Sequence, residues 1–149
     1  MVNNKELKDI AKLEIANLEK LVKEMDCLLA EPEEKKNFVE VRAAGSILHD
    51  FYCGIERIFE RIALIVDKNL PDGYNWHTEL LFRMGKNIEN IRERIISESL
   101  TAKLHEFLRF RHLFRHIYGF ELKWDRIKIL CSEMAKILED FKKEIIEFL

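Results

Sequence analysis

Residues 41–65, with the sequence VRAAGSILHDFYCGIERIFERIALI, carry the clearest helical pattern in the chain. Their apolar side chains recur at alternating spacings of three and four, which places them on one side of a helix of about seven turns. Such a seam packs against neighbouring helices at shallow crossing angles. We expect this helix to stop before the turn-forming cluster Asn69-Leu70-Pro71-Asp72-Gly73. The apolar positions are Val41, Ala44, Leu48, Phe51, Ile55, Ile58, Ile62 and Ile65.

Similar patterns on both sides of this segment predict four more helices. Asn3 or Asn4 caps the first one, and a turn at 31–34 ends it. Ser97 or Ser99 caps the fourth. The pattern beyond Gly85 is less regular, and no stretch alternates with a period of two. The sequence therefore predicts an all-α, up-and-down helical bundle of about five helices. The predicted bounds are Asn4 to about Ala30, near Trp76 to Gly85, near Leu100 to Gly119, and Ile127 to Phe148.

Composition limits the class of protein. The chain has 149 residues, 48% of them hydrophobic and 35% charged, with five glycines and two prolines, which predicts one domain over residues 1–149 and excludes collagenous and disordered chains. The formal charge of −2 gives no overall attraction to nucleic acid, so any such argument is local. Three cysteines without a Cys-x-x-Cys pair fit neither a disulfide framework nor a zinc cluster. The N-terminus MVNNKELKDI lacks the apolar run of a signal peptide. We expect a cytoplasmic protein with no membrane segment.

The fourth predicted helix departs from what packing alone requires. Between Thr101 and Lys128 the chain has seven basic and three acidic residues and three of its five histidines. On an ideal helix, arginines would share the inner face with apolar side chains, and histidines would form the neighbouring stripe. Burying a guanidinium is tolerable only where anions, polar partners or a wet cleft receive it. The positions concerned are Arg111, Arg115 and Tyr118 on the first face, and His105, Arg109, His112 and His116 on the stripe.

The sequence RHLFRHIY at residues 111–118 resembles the motif of HEPN-domain ribonucleases, in which Arg, four residues, His, any residue and Tyr follow one another. The resemblance is closest to the HepT-like toxins of bacterial and archaeal toxin–antitoxin pairs. EFLRF before the motif, GFEL after it, and WHTELL at residues 76–81 are also similar to one HepT-like branch. With the order of the helices, the similarity covers nearly the whole chain.

The resemblance implies a metal-independent endoribonuclease with no cofactor, which acts on RNA and forms a homodimer. It implies that Arg111 and His116 are the catalytic pair. His112 occupies a supporting position where relatives often have Asn or Asp. Tyr118 matches the tyrosine that some nucleotidyltransferase antitoxins modify with adenylate, so a cognate minimal nucleotidyltransferase is the implied partner.

The residue types suit the implied reaction. Cleavage without a metal drives the ribose 2′-OH onto the adjacent phosphorus, and histidine can move the protons while arginine binds the phosphate charge. Arg109, Arg115 and Lys123 would hold flanking phosphates. On an ideal helix Arg111 and His116 are about 140° apart, so a distorted helix or a dimer with shared sites is expected to bring them together.

Other interpretations remain open at this point. Single Arg or His residues often lie on a solvated helix face and satisfy a neighbour. His105, His112 and His116 have a spacing that can hold a metal, although nearby arginines would repel a cation. Gly45-Ser46 resembles the start of a nucleotidyltransferase motif but lies inside a helix. The main alternative function is a non-catalytic HEPN bundle that binds a separate nucleotidyltransferase, and a purely structural bundle is a third.

Overall fold

The computed structural model describes residues 4–31 and 36–149. Within them it has five α-helices and no β-strand, which confirms the predicted all-α bundle. The predicted cap at Asn3 or Asn4 and the turn around Pro32 lie outside the residues or side chains described. The helices are α1 (Asn4–Leu29), α2 (Phe38–Ile62), α3 (Trp76–Met84), α4 (Glu98–Phe114) and α5 (Trp124–Phe148).

Helix α2 is the centre of the bundle, because the other four helices all pack against it. Its predicted seam is buried up to Ile62, and Leu48, Phe51 and Ile55 are inaccessible to solvent. Ile65, the last position of the seam, lies beyond α2 and is partly buried. The contact with α1 is close at Gly54, where an added Cβ would lie 2.7 Å from Cδ2 of Leu18. Burial of this seam supplies much of the hydrophobic stabilisation, since each large apolar side chain contributes about 1.5–3 kcal/mol when fully buried.

The end of α2 fastens the long connection between α3 and α4. A π-helical turn over Ala63–Asp67 continues α2 and turns Asp67 inward. Both oxygens of the Asp67 carboxylate accept hydrogen bonds from Arg92, from Nε at 2.6 Å and from Nη2 at 2.9 Å. Arg92 also donates to main-chain carbonyls of the connection, residues 85–97, and of the last turn of α3, so it ties the two together. This segment, where the sequence pattern was irregular, contains no helix and buries Ile95 and Ile96.

Helix α4 begins as predicted and ends earlier than predicted. The hydroxyl of Ser97 accepts a hydrogen bond from the backbone N–H of Leu100, as an N-cap does. The predicted end at Gly119 is wrong, because the helix ends at Phe114. No proline or glycine stops it there. Tertiary packing ends the helix instead, because the chain must turn to bring Leu122 into the core. There, Cδ1 of Leu122 is 2.6 Å from the position that a Cβ on Gly45 would occupy.

Helix α5 follows the predicted seam and closes the bundle against α1, α2 and α4. The aromatic residues of α4 point into the same core: Phe107 and Phe110 are buried, and Phe114 packs partly buried beside them. No helix among the described residues has the length and apolar character needed to cross a membrane.

Candidate functional site

A groove of about 610 Å³ lies between the start of α3 and the second half of α4 with the turn that follows. This volume is in the range of ligand-binding clefts. All but one of its lining residues carry a polar or basic group, and three of them are arginines, so the groove is suited to an anionic ligand. The lining residues are Tyr74, Asn75, His77, Thr78, His105, Leu108, Arg109, Arg111, His112, Arg115 and His116.

The groove brings together Arg111 and His116 of one chain. Arg111 belongs to the last turn of α4, whereas His116 lies in the turn beyond it. The angular separation expected on an ideal helix therefore does not apply, because the helix has already ended between the two residues. Arg111 is half-buried, and its Nε atom is buried without a hydrogen-bond partner among the described residues. His116 is exposed to solvent.

The ring of His116 is held by its own backbone neighbourhood. Its Nδ1 lies 2.6 Å from the carbonyl oxygen of His112. A carbonyl can only accept, so Nδ1 carries the hydrogen and donates it, which leaves Nε2 free for proton transfer. The rings of His112 and His116 lie side by side, with centroids 4.5 Å apart. The hydrogen bond to His112 therefore fixes which ring nitrogen of His116 is free to exchange a proton.

The other residues predicted for the site divide into two groups. Arg109 and Arg115 line the groove and add positive charge to it. Lys123, at the start of α5, and Tyr118 are not among the lining residues. Tyr118 is 69% exposed, and its ring stacks on Phe120 with centroids 5.2 Å apart. Tyr118 is therefore accessible to solvent, and in the sequence it lies only three residues after Arg115.

Sequence reasoning missed a second set of residues beside the groove, because they come from α2 and α3. His77 lines the groove, and its Nδ1 lies 2.8 Å from Oε2 of Glu56. Glu56 is only 5% exposed, and it is buried on α2 together with the core residues Ile55 and Phe59. The sequence did contain a signal for Glu56, because this carboxylate lies four residues after Tyr52, on the buried side of a helix. Its partner could not be inferred, since His77 is 21 residues away.

Tyr52 connects this set to Arg111. The tyrosine is fully buried, and its hydroxyl has no hydrogen-bond partner in the described part of the chain. Burial raises its pKa well above the ordinary value of 10; the carboxylate of Glu56 raises it further, and the positive charge of Arg111 opposes the shift. Glu56 and Arg111 thus both act electrostatically on the buried hydroxyl of Tyr52.

Glu60, one turn after Glu56 on α2, is affected by the same carboxylate. Burial, and after it the charge of Glu56, raises the pKa of Glu60, while His77 opposes the shift.

Across the described residues, no three His, Cys, Asp or Glu side chains are grouped so that they could hold a metal ion. Gly45 lies inside α2, where the side chains of Leu122 and Phe114 pack closely against it. It is not part of a phosphate-binding loop.

The fold and the groove define an all-α bundle with an arginine and a histidine at the C-terminal end of its fourth helix. A family model described as HepT-like protein matches residues 43–149, which include every residue of the groove. The chain belongs to this HepT-like family of HEPN-domain proteins. A comparison with curated proteins finds no match, and neither does one with solved structures.

Proposed function

We propose that this HepT-like protein is the toxin of a type II toxin–antitoxin system, and that it is an endoribonuclease which cleaves RNA without a metal ion. The observation that carries the proposal is that Arg111 and His116 of the same chain line one basic groove, with the His116 ring held through Nδ1. Family membership supports the toxin–antitoxin context.

The proposed reaction is an internal transesterification. Nε2 of His116 removes the proton from a ribose 2′-OH, and the 2′-oxygen attacks the adjacent phosphorus. The products are a 2′,3′-cyclic phosphate and a free 5′-OH. Arg111 binds the phosphate oxygens, where a guanidinium fork stabilises the charge that builds up during attack. Arg109, Arg115 and, outside the groove, Lys123 bind flanking phosphates, with His112 in a supporting position.

The antitoxin in this proposal is a minimal nucleotidyltransferase that attaches adenylate to Tyr118. The exposure of Tyr118 supports this assignment, because a modifying enzyme can reach its hydroxyl. The added phosphate would compete for nearby arginines and block RNA. Mass spectrometry of the protein co-expressed with a nucleotidyltransferase encoded beside it tests the assignment. Unmodified Tyr118 in a neutralised pair would exclude it.

We further propose that the protein acts in the cytoplasm as a homodimer in which each chain has its own Arg111 and His116 pair. Light scattering tests the dimer. Heterodimers of Arg111→Ala and His116→Ala chains test the site, because a site within one chain leaves them inactive, whereas a site shared across the dimer restores cleavage.

The decisive experiment incubates purified protein with RNA in the presence of EDTA. Wild type should yield 5′-OH ends and 2′,3′-cyclic phosphates, and Arg111→Ala and His116→Ala should each lose activity by about 10²-fold or more. The matched control is His49→Asn, a half-buried histidine of α2 outside the groove. A wild-type protein that binds a nucleotidyltransferase but cuts no RNA would contradict the proposal and favour the non-catalytic binding partner.

A further inference from the structure

The pair formed by Glu56 and His77 has no role in the mechanism above, although it borders the same groove. Glu56 is buried on α2, and its carboxylate oxygen Oε2 lies 2.8 Å from Nδ1 of His77 at the start of α3. His77 is partly exposed and lines the groove. The ring of Trp76 covers that of His77, with centroids 3.7 Å apart. The imidazole is therefore fixed on one side by a carboxylate and on one face by an indole.

Stability alone does not explain a buried carboxylate at this position. Removing a carboxylate from water costs several kcal/mol, and a well-packed apolar pair is often as stable as a buried ionic one. What the carboxylate does provide is orientation. With Nδ1 bonded to Glu56, Nε2 is the ring nitrogen available to the groove, as in catalytic carboxylate and histidine pairs.

The proposed transesterification needs two proton transfers. The 2′-OH must lose a proton, and the departing 5′-oxygen must gain one, at the opposite side of the phosphorus. His116 can serve one of these tasks at a time. A second imidazole in the same groove supplies the other, so that no proton has to come from water.

We propose that His77 is a second catalytic residue, the general acid, and that Glu56 is its positioning residue; this rests on the proposed ribonuclease function. Nε2 of His116 accepts the 2′-OH proton as the bond from the 2′-oxygen to phosphorus forms. The bond from phosphorus to the 5′-oxygen breaks, and its electron pair stays on that oxygen, which takes the proton from Nε2 of His77. Exchange with solvent then returns both histidines to their starting states.

The assignment of acid and base follows from the partners of the two rings. The negative charge of Glu56 lies against His77 and compensates the positive charge that an acidic imidazolium carries. His116 has no carboxylate within ion-pair distance in the described part of the chain, and its Nδ1 donates to a neutral carbonyl. His77, the ring paired with a carboxylate, is therefore assigned as the acid, and His116 as the base.

A substrate with an altered leaving group tests the proposal. An oligoribonucleotide that wild type cleaves is compared with the same oligonucleotide carrying sulfur in place of the 5′-oxygen at the cleaved linkage. A thiolate leaves without protonation, so it bypasses a missing acid. His77→Asn retains an amide donor for Glu56 and should cleave the oxygen substrate about 10²–10⁴-fold more slowly than wild type. On the sulfur substrate its rate should come within about tenfold of wild type.

Three variants separate the roles. His116→Asn should be slow on both substrates, because loss of a base is not rescued by a better leaving group. Glu56→Gln should show a smaller defect than His77→Asn, again relieved on the sulfur substrate. Asp50→Asn, which changes an exposed acid of α2 that does not line the groove, is the matched control and should behave like wild type.

The outcomes distinguish this inference from the function on which it rests. If wild type cleaves neither substrate, the proposed function fails. If wild type is active and His77→Asn is equally active, or equally impaired on both substrates, the ribonuclease stands and His77 is not the acid. Circular dichroism of each variant confirms that it is folded, and His77→Asn carries the test if Glu56→Gln does not fold.

Discussion

Removing Asp67 should destabilise the protein strongly, although the residue lies outside the groove. The side chains of Asp67 and Arg92 are only 2% and 4% exposed, and two hydrogen bonds join them. Asp67→Ala leaves the guanidinium buried beside neutral carbonyls. Breaking such a pair lowers the free energy of unfolding by about 3–5 kcal/mol, because the guanidinium of Arg92 loses its partner and stays buried away from water.

That cost is large against the total stability of about 5–15 kcal/mol expected for a domain. It corresponds to a fall in the melting temperature of roughly 6–20 °C for a chain of this size. Urea denaturation followed by circular dichroism measures it directly. The control is Glu19→Ala, which removes an exposed partner of Lys142 at 3.1 Å and should change stability by less than about 1 kcal/mol.

The double variant Asp67→Ala with Arg92→Ala sharpens the test. It removes both charges, so it should be less destabilised than the sum of the two single variants, by about 2 kcal/mol or more. An Asp67→Ala variant that loses less than about 1 kcal/mol, or a strictly additive double variant, would refute the argument. It would mean that water or another group already compensates Arg92.

Four further predictions concern other parts of the molecule. Arg109→Ala should weaken RNA binding and reduce the slope of log affinity against log salt concentration by about one. The rate of RNA cleavage in the bound complex should stay near that of wild type. An unchanged slope would mean that RNA does not contact Arg109. Gly45→Ala should lower the melting temperature, because its Cβ would lie 2.6 Å from a core side chain, whereas Gly73→Ala, with open space around it, should not. Burial raises the pKa of the Cys131 thiol from its ordinary value of 9 to about 12, so alkylation at pH 8 should modify exposed Cys27 and spare Cys131 until the protein unfolds. Since the unfolded chain ionises this thiol first, stability should also fall as the pH rises from about 9 towards about 12, which melting curves can follow.

Much of the bundle was predictable because helical periodicity is a local property. The seam from Val41 to Ile65 and the one from Ile127 to Phe148 each specify a helix by residues three and four apart, and both helices are present. The Ser97 cap was predictable for the same reason. So was the basic and histidine-rich character of the segment around Arg111, which the resemblance to HEPN ribonucleases then connected to RNA.

The groove itself was decided by tertiary structure. Helix α4 ends at Phe114 because Leu122 must reach the core at Gly45, a contact between residues far apart in sequence. The partnership of Glu56 with His77 spans 21 residues, and that of Asp67 with Arg92 spans 25. No local pattern encodes such distances, because they depend on how whole helices pack around α2. The chain alone specified its helices and its reactive residue types, and only their packing determined which of those residues face one another.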